Sequence, residues 1–371
     1  MLVAQDCRND DDRFMAAAIR FARCNLGRTA ENPSVGTLIV RNDDDRAYIV
    51  GRGVTEFNGR PHAEAQALAE AGLSAYGSTA YVTLEPCSHF GQAPPCVDAL
   101  IAAGVKRVVI AASDPDLRVN GSGMKRLRQA GIKVTEHVLT DMAKSGLSAY
   151  FCRKRLQRPE ITLKLAISMD GYIGKKNEGN IAISGVISQA QTHILRAESD
   201  AILVGIGTVM VDDPMLDCRL PGMEDRSPIR IILDSKLCLP LNCNLVKTAR
   251  KYPVWIVCDK AACLHHMKAL ESAGCCIIPC KTKRRMIDLQ DFLIQLAETQ
   301  INSILVEGGA EIAISFWENS LVDRLILFQS PLVLGTGGYQ APNFRERILK
   351  YKKTIIQKFG EDYCVQWERV T

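Results

Sequence analysis

His62, Cys87 and Cys96 offer one imidazole and two thiolates. That donor set suits Zn²⁺, which favours nitrogen and sulfur ligands at tetrahedral corners. Three protein donors leave one corner for a water, which is the layout of a catalytic metal site and not of a structural one. Glu64 stands two residues past the histidine and is not needed as a ligand. A carboxylate there can take a proton from the water and hand it to a leaving amine. The bland alternative is a satisfied histidine with two buried thiols, because free cysteines are commonly apolar filler. The ordered set of His-x-Glu, Pro-Cys and a second Cys, with a strand-like run between, argues against it.

These residues need a scaffold that gathers positions 62, 64, 87 and 96. Phe14, Ala18, Phe21 and Ala22 recur at helical spacing and predict an amphipathic helix over Asp11 to Asn25, stopped by Gly27. Asn32-Pro33 predicts a turn into a strand over Thr37 to Val40. Asp43-Asp44-Asp45 predicts a charged hairpin tip, with a second strand at Ala47 to Val50. His62 begins a helix over Ala63 to Ala71, and a strand over Thr79 to Leu84 delivers Glu85-Pro86-Cys87. Cys96 opens a helix over Val97 to Ala103, followed by a strand over Lys106 to Ala111. The β-α-β-α-β order predicts a mostly parallel sheet covered by helices. Both ligand pairs then lie where helices begin, and helix N-termini favour negative charge. Gly131 to Val138 reads as a last strand. The basic stretch from Cys152 to Pro159 reads as a linker, dividing the chain into domains 1–152 and 153–371.

The second half predicts strands at Ile161 to Ile167, Asp200 to Val209, Ile229 to Asp234, Val254 to Asp259, Ser303 to Glu307 and Arg324 to Pro331, with helices at Ser188 to Arg196 and through Trp317. No G-x-G-x-x-G follows any strand, and Gly205-Ile206-Gly207 lacks the third glycine. Glu307-Gly308-Gly309, at a strand end opening a helix, is either a phosphate cradle of free backbone N–H groups or a tight turn. The segment after Gly338 carries no readable signal.

Composition narrows the classes. The 371 residues suggest two domains or one large one. The net charge of +5 is diffuse, so Lys283-Arg284-Arg285 reads as a solvated loop and not as a nucleic-acid patch. Fourteen cysteines in a long chain with a polar, acidic start read as reduced thiols of a cytoplasmic protein. The apolar run from Ala201 to Val211 is too short to span a bilayer.

The H-x-E…P-C…C pattern is a signature of zinc deaminases acting on pyrimidine-type or purine rings. Eight residues separate Cys87 from Cys96, where the general signature has two. That longer loop, Pro86-Cys87-Ser88-His89-Phe90-Gly91-Gln92-Ala93-Pro94-Pro95-Cys96, resembles the deaminase half of the bifunctional riboflavin-biosynthesis deaminase/reductases. In the second half, Lys164-Leu165-Ala166, Ser168-Met169-Asp170-Gly171, Asp212-Asp213-Pro214, Leu233-Asp234-Ser235 and Val306-Glu307-Gly308-Gly309 are similar to that family's reductase domain.

The resemblance implies an α/β architecture, with a cytidine-deaminase-like N-terminal domain and a dihydrofolate-reductase-like C-terminal domain. It implies zinc-dependent deamination of a phosphoribosylamino-pyrimidine, then NADPH-dependent reduction of its ribosyl group to ribityl. Zinc would be held by His62, Cys87 and Cys96, with Glu64 catalytic and Asn32 on the pyrimidine. His89 would be a loop residue touching substrate and not a fourth ligand. Asp114-Pro115 and Val119-Asn120-Gly121 match the family's loops, although turn chemistry explains them equally. NADPH would meet Ala166, Ala182, Thr208, Asp212 and the segment from Gly309 through Ala310 and Glu311 to Ser315. The substrate would meet Asn180, Arg196, Leu216, Arg219 and Glu307, the two arginines suiting a ribose phosphate. Lys164 and Asp212 are the polar groups to test first. Many members have Trp-Ile-Thr where this chain has Ala182-Ile183-Ser184, so the cofactor packs differently there. The family tends to form homodimers or larger homo-oligomers. Two rivals remain: a single-activity nucleobase or tRNA deaminase with an idle appended domain, and a nucleic-acid-binding protein with a structural zinc. The second would need a fourth ligand and a clustered basic face.

Overall fold

The computed structural model describes residues 10–370 apart from 44, 45, 92, 117, 177 and 180. The expected hairpin tip at Asp44 and Asp45 therefore lies outside the described residues, as does Asn180. The chain divides into two compact units, Met1–Gln157 and Arg158–Thr371.

The first unit holds five strands, β1 Gly36–Asp43, β2 Arg46–Val54, β3 Thr79–Leu84, β4 Arg107–Ala112 and β5 Lys133–Thr135, in the order β2-β1-β3-β4-β5. Its helices are α1 Asp10–Ala22, α2 Ala63–Ala71, α3 Cys96–Ala102, α4 Ser122–Gln129, α5 Thr140–Gly146 and α6 Ser148–Leu156. The sheet is mixed and not mostly parallel. β1 pairs antiparallel with both β2 and β3, and only β3–β4 and β4–β5 are parallel. The reason is local: a tight connection between β1 and β2 makes a hairpin, and a hairpin is antiparallel. The strand expected over Gly131 to Val138 shortens to Lys133–Thr135. The basic stretch from Cys152 to Pro159 begins as the last residues of helix α6, which ends at Leu156, and the two units divide within it, between Gln157 and Arg158. The earlier part of α6 is core, with Tyr150 and Phe151 buried.

Helix α2, which carries Glu64 and is preceded by His62, lies close against β2. Glycines on β2 permit this. A Cβ on Gly53 would stand 1.9 Å from the Ala63 carbonyl oxygen, and one on Gly51 2.2 Å from that of Ala67. The facing positions on α2, Ala63, Ala67 and Ala71, are small and buried. Small residues on both surfaces thus set how deeply the helix seats, and with it the depth of the residues at its start.

In the second unit seven strands run parallel: β6 Glu160–Ile167, β8 Ala201–Gly205, β9 Ile229–Leu233, β10 Val254–Asp259, β11 Cys276–Cys280, β14 Ser303–Val306 and β15 Arg324–Gln329. Two antiparallel strands, β17 Tyr351–Phe359 and β18 Asp362–Arg369, complete the nine-stranded order β11-β10-β9-β8-β14-β6-β15-β18-β17. Short hairpin-like pairs join β7 Tyr172–Lys175 to β16 Gly338–Gln340 and β12 Thr282–Lys283 to β13 Met286–Ile287. The helices are α7 Val186–Ala197, α8 Ile206–Asp212, α9 Asn244–Lys247, α10 Leu264–Ser272, α11 Leu289–Ala297 and α12 Ala310–Glu318. Alternate residues feed two cores. Ala201 and Leu203 of β8 join the cluster under α11 and α12, and Ile202 and Val204 join the one under α8, α9 and α10. Burial on both faces is why these strands are continuous apolar runs.

The strand expected over Asp200 to Val209 stops at Gly205, and Ile206 begins α8. A short apolar run does not distinguish buried strand from buried helix by periodicity. Among the described residues no helix is long and apolar enough to cross a membrane.

The Gly53→Ala substitution is expected to destabilise the first unit by about 1–3 kcal/mol, because the added methyl must push α2 off β2. Thermal unfolding of the full chain measures this, and an unchanged midpoint would refute the close seating.

Candidate active site

His62 is the residue before the first turn of α2, Glu64 lies in that turn, Cys87 follows β3, and Cys96 is the first residue of α3. The fold brings the three predicted ligands together. The His62 Nδ1 atom is 3.7 Å from Cys87 Sγ and 3.4 Å from Cys96 Sγ, and all three donors lie within 4.8 Å of one another. With Zn–S near ~2.3 Å and Zn–N near ~2.0–2.1 Å, neighbouring donors on a tetrahedron stand ~3.5–3.8 Å apart. The observed separations and the N, S, S chemistry therefore fit zinc. No fourth His, Cys, Asp or Glu among the described residues joins the group.

The electrostatics suit the same purpose. Cys96 donates to Cys87 through its thiol and, at 3.3 Å, through its backbone N–H. Together with His62 these bonds outweigh burial and pull the Cys87 thiol down to about 4. The bond to Cys87 and then burial push the Cys96 thiol upward. Hydrogen bonding to Cys87 raises His62. Glu64 is buried, and that burial raises its carboxyl, so it can hold a proton at a pH where an exposed glutamate would not.

Two supporting devices had no clear sequence signal. Glu85, buried beside Pro86 and Cys87, accepts backbone N–H groups from Gly121 at 3.0 Å and Gly123 at 3.1 Å, with longer bonds from Asp114 and Met124 at 3.4 Å each. It ties the end of β3 to the start of α4. Arg126 on α4 pairs with Asp98 on α3 and donates to the Ser88 carbonyl at 2.9 Å, holding the loop between the two cysteines. Both are visible only once α3 and α4 are known to be neighbours.

The other predicted positions are as follows. Asn32 is half-buried in its turn, with its side chain against Gly59, three residues ahead of His62. His89 is half-buried, and its Nδ1 atom has no partner. Asp114 is spent on structure: its carboxylate accepts from Tyr150 at 3.0 Å and from the Asp116 backbone at 2.8 Å.

In the second unit, Glu307 follows β14 and is nearly enclosed. Arg196 of α7 clasps it with two bonds, Nε to Oε1 at 2.7 Å and Nη2 to Oε2 at 3.0 Å. The Lys164 Nζ atom on β6 stands 4.0 Å from the same carboxylate. Burial opposes ionisation of Glu307, but Arg196 and Lys164 overcome it and hold the carboxyl below its usual value. Burial also lowers Lys164. The remaining Arg196 donor reaches the Asp217 carbonyl at 3.1 Å, which His193 Nδ1 approaches at the same distance. Leu216 is buried beside Asp217, and Arg219 is largely exposed with one nitrogen 3.1 Å from the Asp217 carboxylate. Arg196 is thus no surface charge. His193, three residues before it on one helical face, is the group that sequence reasoning passed over.

At the start of α12, Gly309 N–H donates to Thr208 Oγ1 at 3.2 Å, and no side chain caps the helix. Gly308 has room for no side chain, since its Cβ would stand 2.6 Å from Ile312. The uncapped N–H groups at Ala310 and Glu311 are what a phosphate cradle requires. Asp212 ends α8, its carboxyl raised by partial burial. Ala166 shares a strand face with Lys164, and Ala182 is exposed.

Comparison with known proteins covers both units. The model of the RibD C-terminal domain matches residues 159–365, and that of the cytidine and deoxycytidylate deaminase zinc-binding region matches residues 8–112. A riboflavin biosynthesis protein RibD from Aquifex aeolicus is 36% identical over 98% of this chain and 99% of its own length. The Escherichia coli protein of that name is 37% identical over 96% and 98%. The crystal structure of Acinetobacter baumannii RibD superposes with a TM-score of 0.84 at 31% identity, covering 97% of this chain and 99% of that one. A Thermotoga maritima diaminohydroxyphosphoribosylaminopyrimidine deaminase/5-amino-6-(5-phosphoribosylamino)uracil reductase superposes at 0.82 with 30% identity, over 97% and 99%. Similarity along both halves sets aside the lone deaminase with an idle appendage.

Purified protein is expected to carry about one zinc per chain, and Cys96→Ser to lose most of it. Metal analysis decides this, and full retention by the variant would remove Cys96 from the ligand set.

Proposed function

The chain belongs to the RibD family of bifunctional riboflavin-biosynthesis enzymes, and from that membership we propose which residues perform each step. It is a zinc-dependent deaminase, and so a hydrolase, joined to an NADPH-dependent reductase, and so an oxidoreductase. The deaminase substrate in this reading is 2,5-diamino-6-(5-phosphoribosylamino)pyrimidin-4-one. The name of the Thermotoga relative supports that choice.

In the first unit, His62, Cys87 and Cys96 are the metal ligands. These three would hold zinc, which would supply Lewis acidity toward the attacking water. Glu64 accepts a proton from the entering water and delivers it to the departing amine, so that a ring C–NH₂ and water become a ring carbonyl and ammonia. The observation that carries this reading is the three-donor triangle with a buried carboxylate, raised by that burial, in the first turn of the helix that His62 precedes. Asn32 and His89 orient the pyrimidine.

In the second unit, the bound NADPH would supply the hydride that reduces the opened ribosyl group at C1. Thr208, Asp212, the uncapped start of α12 and the β6 face at Ala166 bind the cofactor, with Ala182 on the segment before α7. Asn180, Glu307, Arg196, Leu216 and Arg219 bind the substrate, and Lys164 holds the charge of Glu307. Since Arg196 is committed to Glu307, the exposed Arg219 is the freer of the two arginines for a phosphate.

Cytoplasmic residence and a homodimer or larger homo-oligomer complete the proposal, without nucleic acid as a partner. The free thiols support a reducing compartment. Lys283, in the basic run, is paired with Asp288 at 2.7 Å.

Glu64→Gln is expected to keep zinc but lose deamination by at least ~10²-fold; unchanged turnover would falsify its role. Arg219→Ala is expected to raise the reductase KM about tenfold with little change in melting temperature. Arg196→Ala is expected to raise KM and also to lower melting, since it strands a buried carboxylate. Unaltered KM in both variants would dispose of the phosphate contact.

A further inference from the structure

Arg60 stands two residues before the ligand His62, with extended backbone at φ −148° and ψ 144°. His62 is extended as well, at φ −69° and ψ 159°. Pro61, between them, is exposed. The guanidinium lies against the other ligand-bearing segment: a Cβ on Gly91, between Cys87 and Cys96, would stand 3.5 Å from Arg60 Nη2.

The charges nearby are otherwise committed. Arg126 pairs with Asp98, and Arg118 and Lys154 both pair with Asp116. Glu85 is taken by backbone N–H groups, and the Glu56 oxygens accept from Phe57 N–H and Gln66. Among the described residues Arg60 has no ion pair or hydrogen bond from its guanidinium. A cation at a metal-site mouth with no internal partner is a ready place for an external anion.

We propose that Arg60 is a specificity-determining residue of the deaminase unit that receives the phosphate of the phosphoribosyl substrate. This rests on the substrate reading given above. Two extended residues span at most ~7 Å, and the arginine side chain adds its own length. The guanidinium can thus stay clear of the reacting ring and meet the far end of the ribose. A planar fork of N–H donors suits phosphate oxygens, and Gly91 beneath it leaves room for the anion.

The test is steady-state deamination by the zinc-loaded full chain on the phosphoribosylamino-pyrimidine and on its dephosphorylated riboside. Arg60→Ala should raise KM for the phosphorylated substrate roughly 10- to 100-fold, leave kcat within a few-fold, and leave KM for the riboside unchanged. Arg60→Lys should recover part of the loss, and zinc content should match wild type in both variants. An equal KM effect on the two substrates, or none, would overturn the assignment while deamination stands. Wild-type protein that deaminates neither substrate would overturn the functional reading and this assignment with it.

Discussion

The deaminase half depends on three donors from separate stretches of chain meeting within one tetrahedral edge of each other. Nothing in the ligands enforces this by itself, since two thiols and an imidazole repel or compete for protons as readily as they gather. The work is done by backbone. Glycines at 51 and 53 let α2 settle on β2, fixing His62 and Glu64 together. Strand β3 ends at Leu84, and Glu85 then anchors the exit to the start of α4. Cys96 opens α3, and its backbone N–H donates to the Cys87 sulfur. Each of these constraints is a main-chain one, so the side chains arrive with little rotamer freedom left to lose.

The reductase half solves a different problem. Its central feature is a carboxylate taken out of water, and a buried ion pair stabilises little against a hydrophobic pair of the same shape. Glu307 is therefore unlikely material for stability alone. The two bonds from Arg196 fix the direction of both groups, and Lys164 lies alongside to keep the charge. What this arrangement provides is orientation. It links the end of β14 to α7 and, through the Asp217 carbonyl, to the loop bearing Leu216 and Arg219. The uncapped start of α12 follows two residues after Glu307, so the buried ion pair and the free helix start hang from one strand end.

Legibility in the sequence followed physical range. Helix α2 and strands β3 and β10 matched their expected bounds, because apolar spacing and flanking breakers are local. The cluster of His62, Cys87 and Cys96 was readable because metal chemistry restricts residue type. The antiparallel β1–β2 pair was readable from its charged hairpin tip, but the antiparallel pairing of β1 with β3 was not, because strand composition does not encode it. Ile206 to Asp212 was read partly as strand because its residues are as apolar as those before it. Glu85 and His193 stayed hidden because their partners, Gly121, Gly123 and Asp217, lie 24 or more positions away and are backbone groups. Backbone acceptors leave no mark in a residue pattern.

The segment after Gly338, opaque as sequence, shows how far such backbone support extends. β18 pairs with β15, and its first residue, Asp362, is buried. One oxygen of that carboxylate accepts from Gly185 N–H at 2.7 Å and from Ser188 Oγ at 2.6 Å. Gly185 precedes α7, which has no cap from its own neighbours, so the cap is supplied from the far end of the chain. A negative group at a helix N-terminus is favoured by the helix dipole as well as by the hydrogen bonds. The same helix carries His193 and Arg196 at its other end. A helix transmits position as a rigid rod, so fixing its start fixes where the guanidinium meets Glu307. The last strands thus support the Arg196–Glu307 pair by mechanics, and Cys364 of β18 lies near enough to Lys164 to act on its charge.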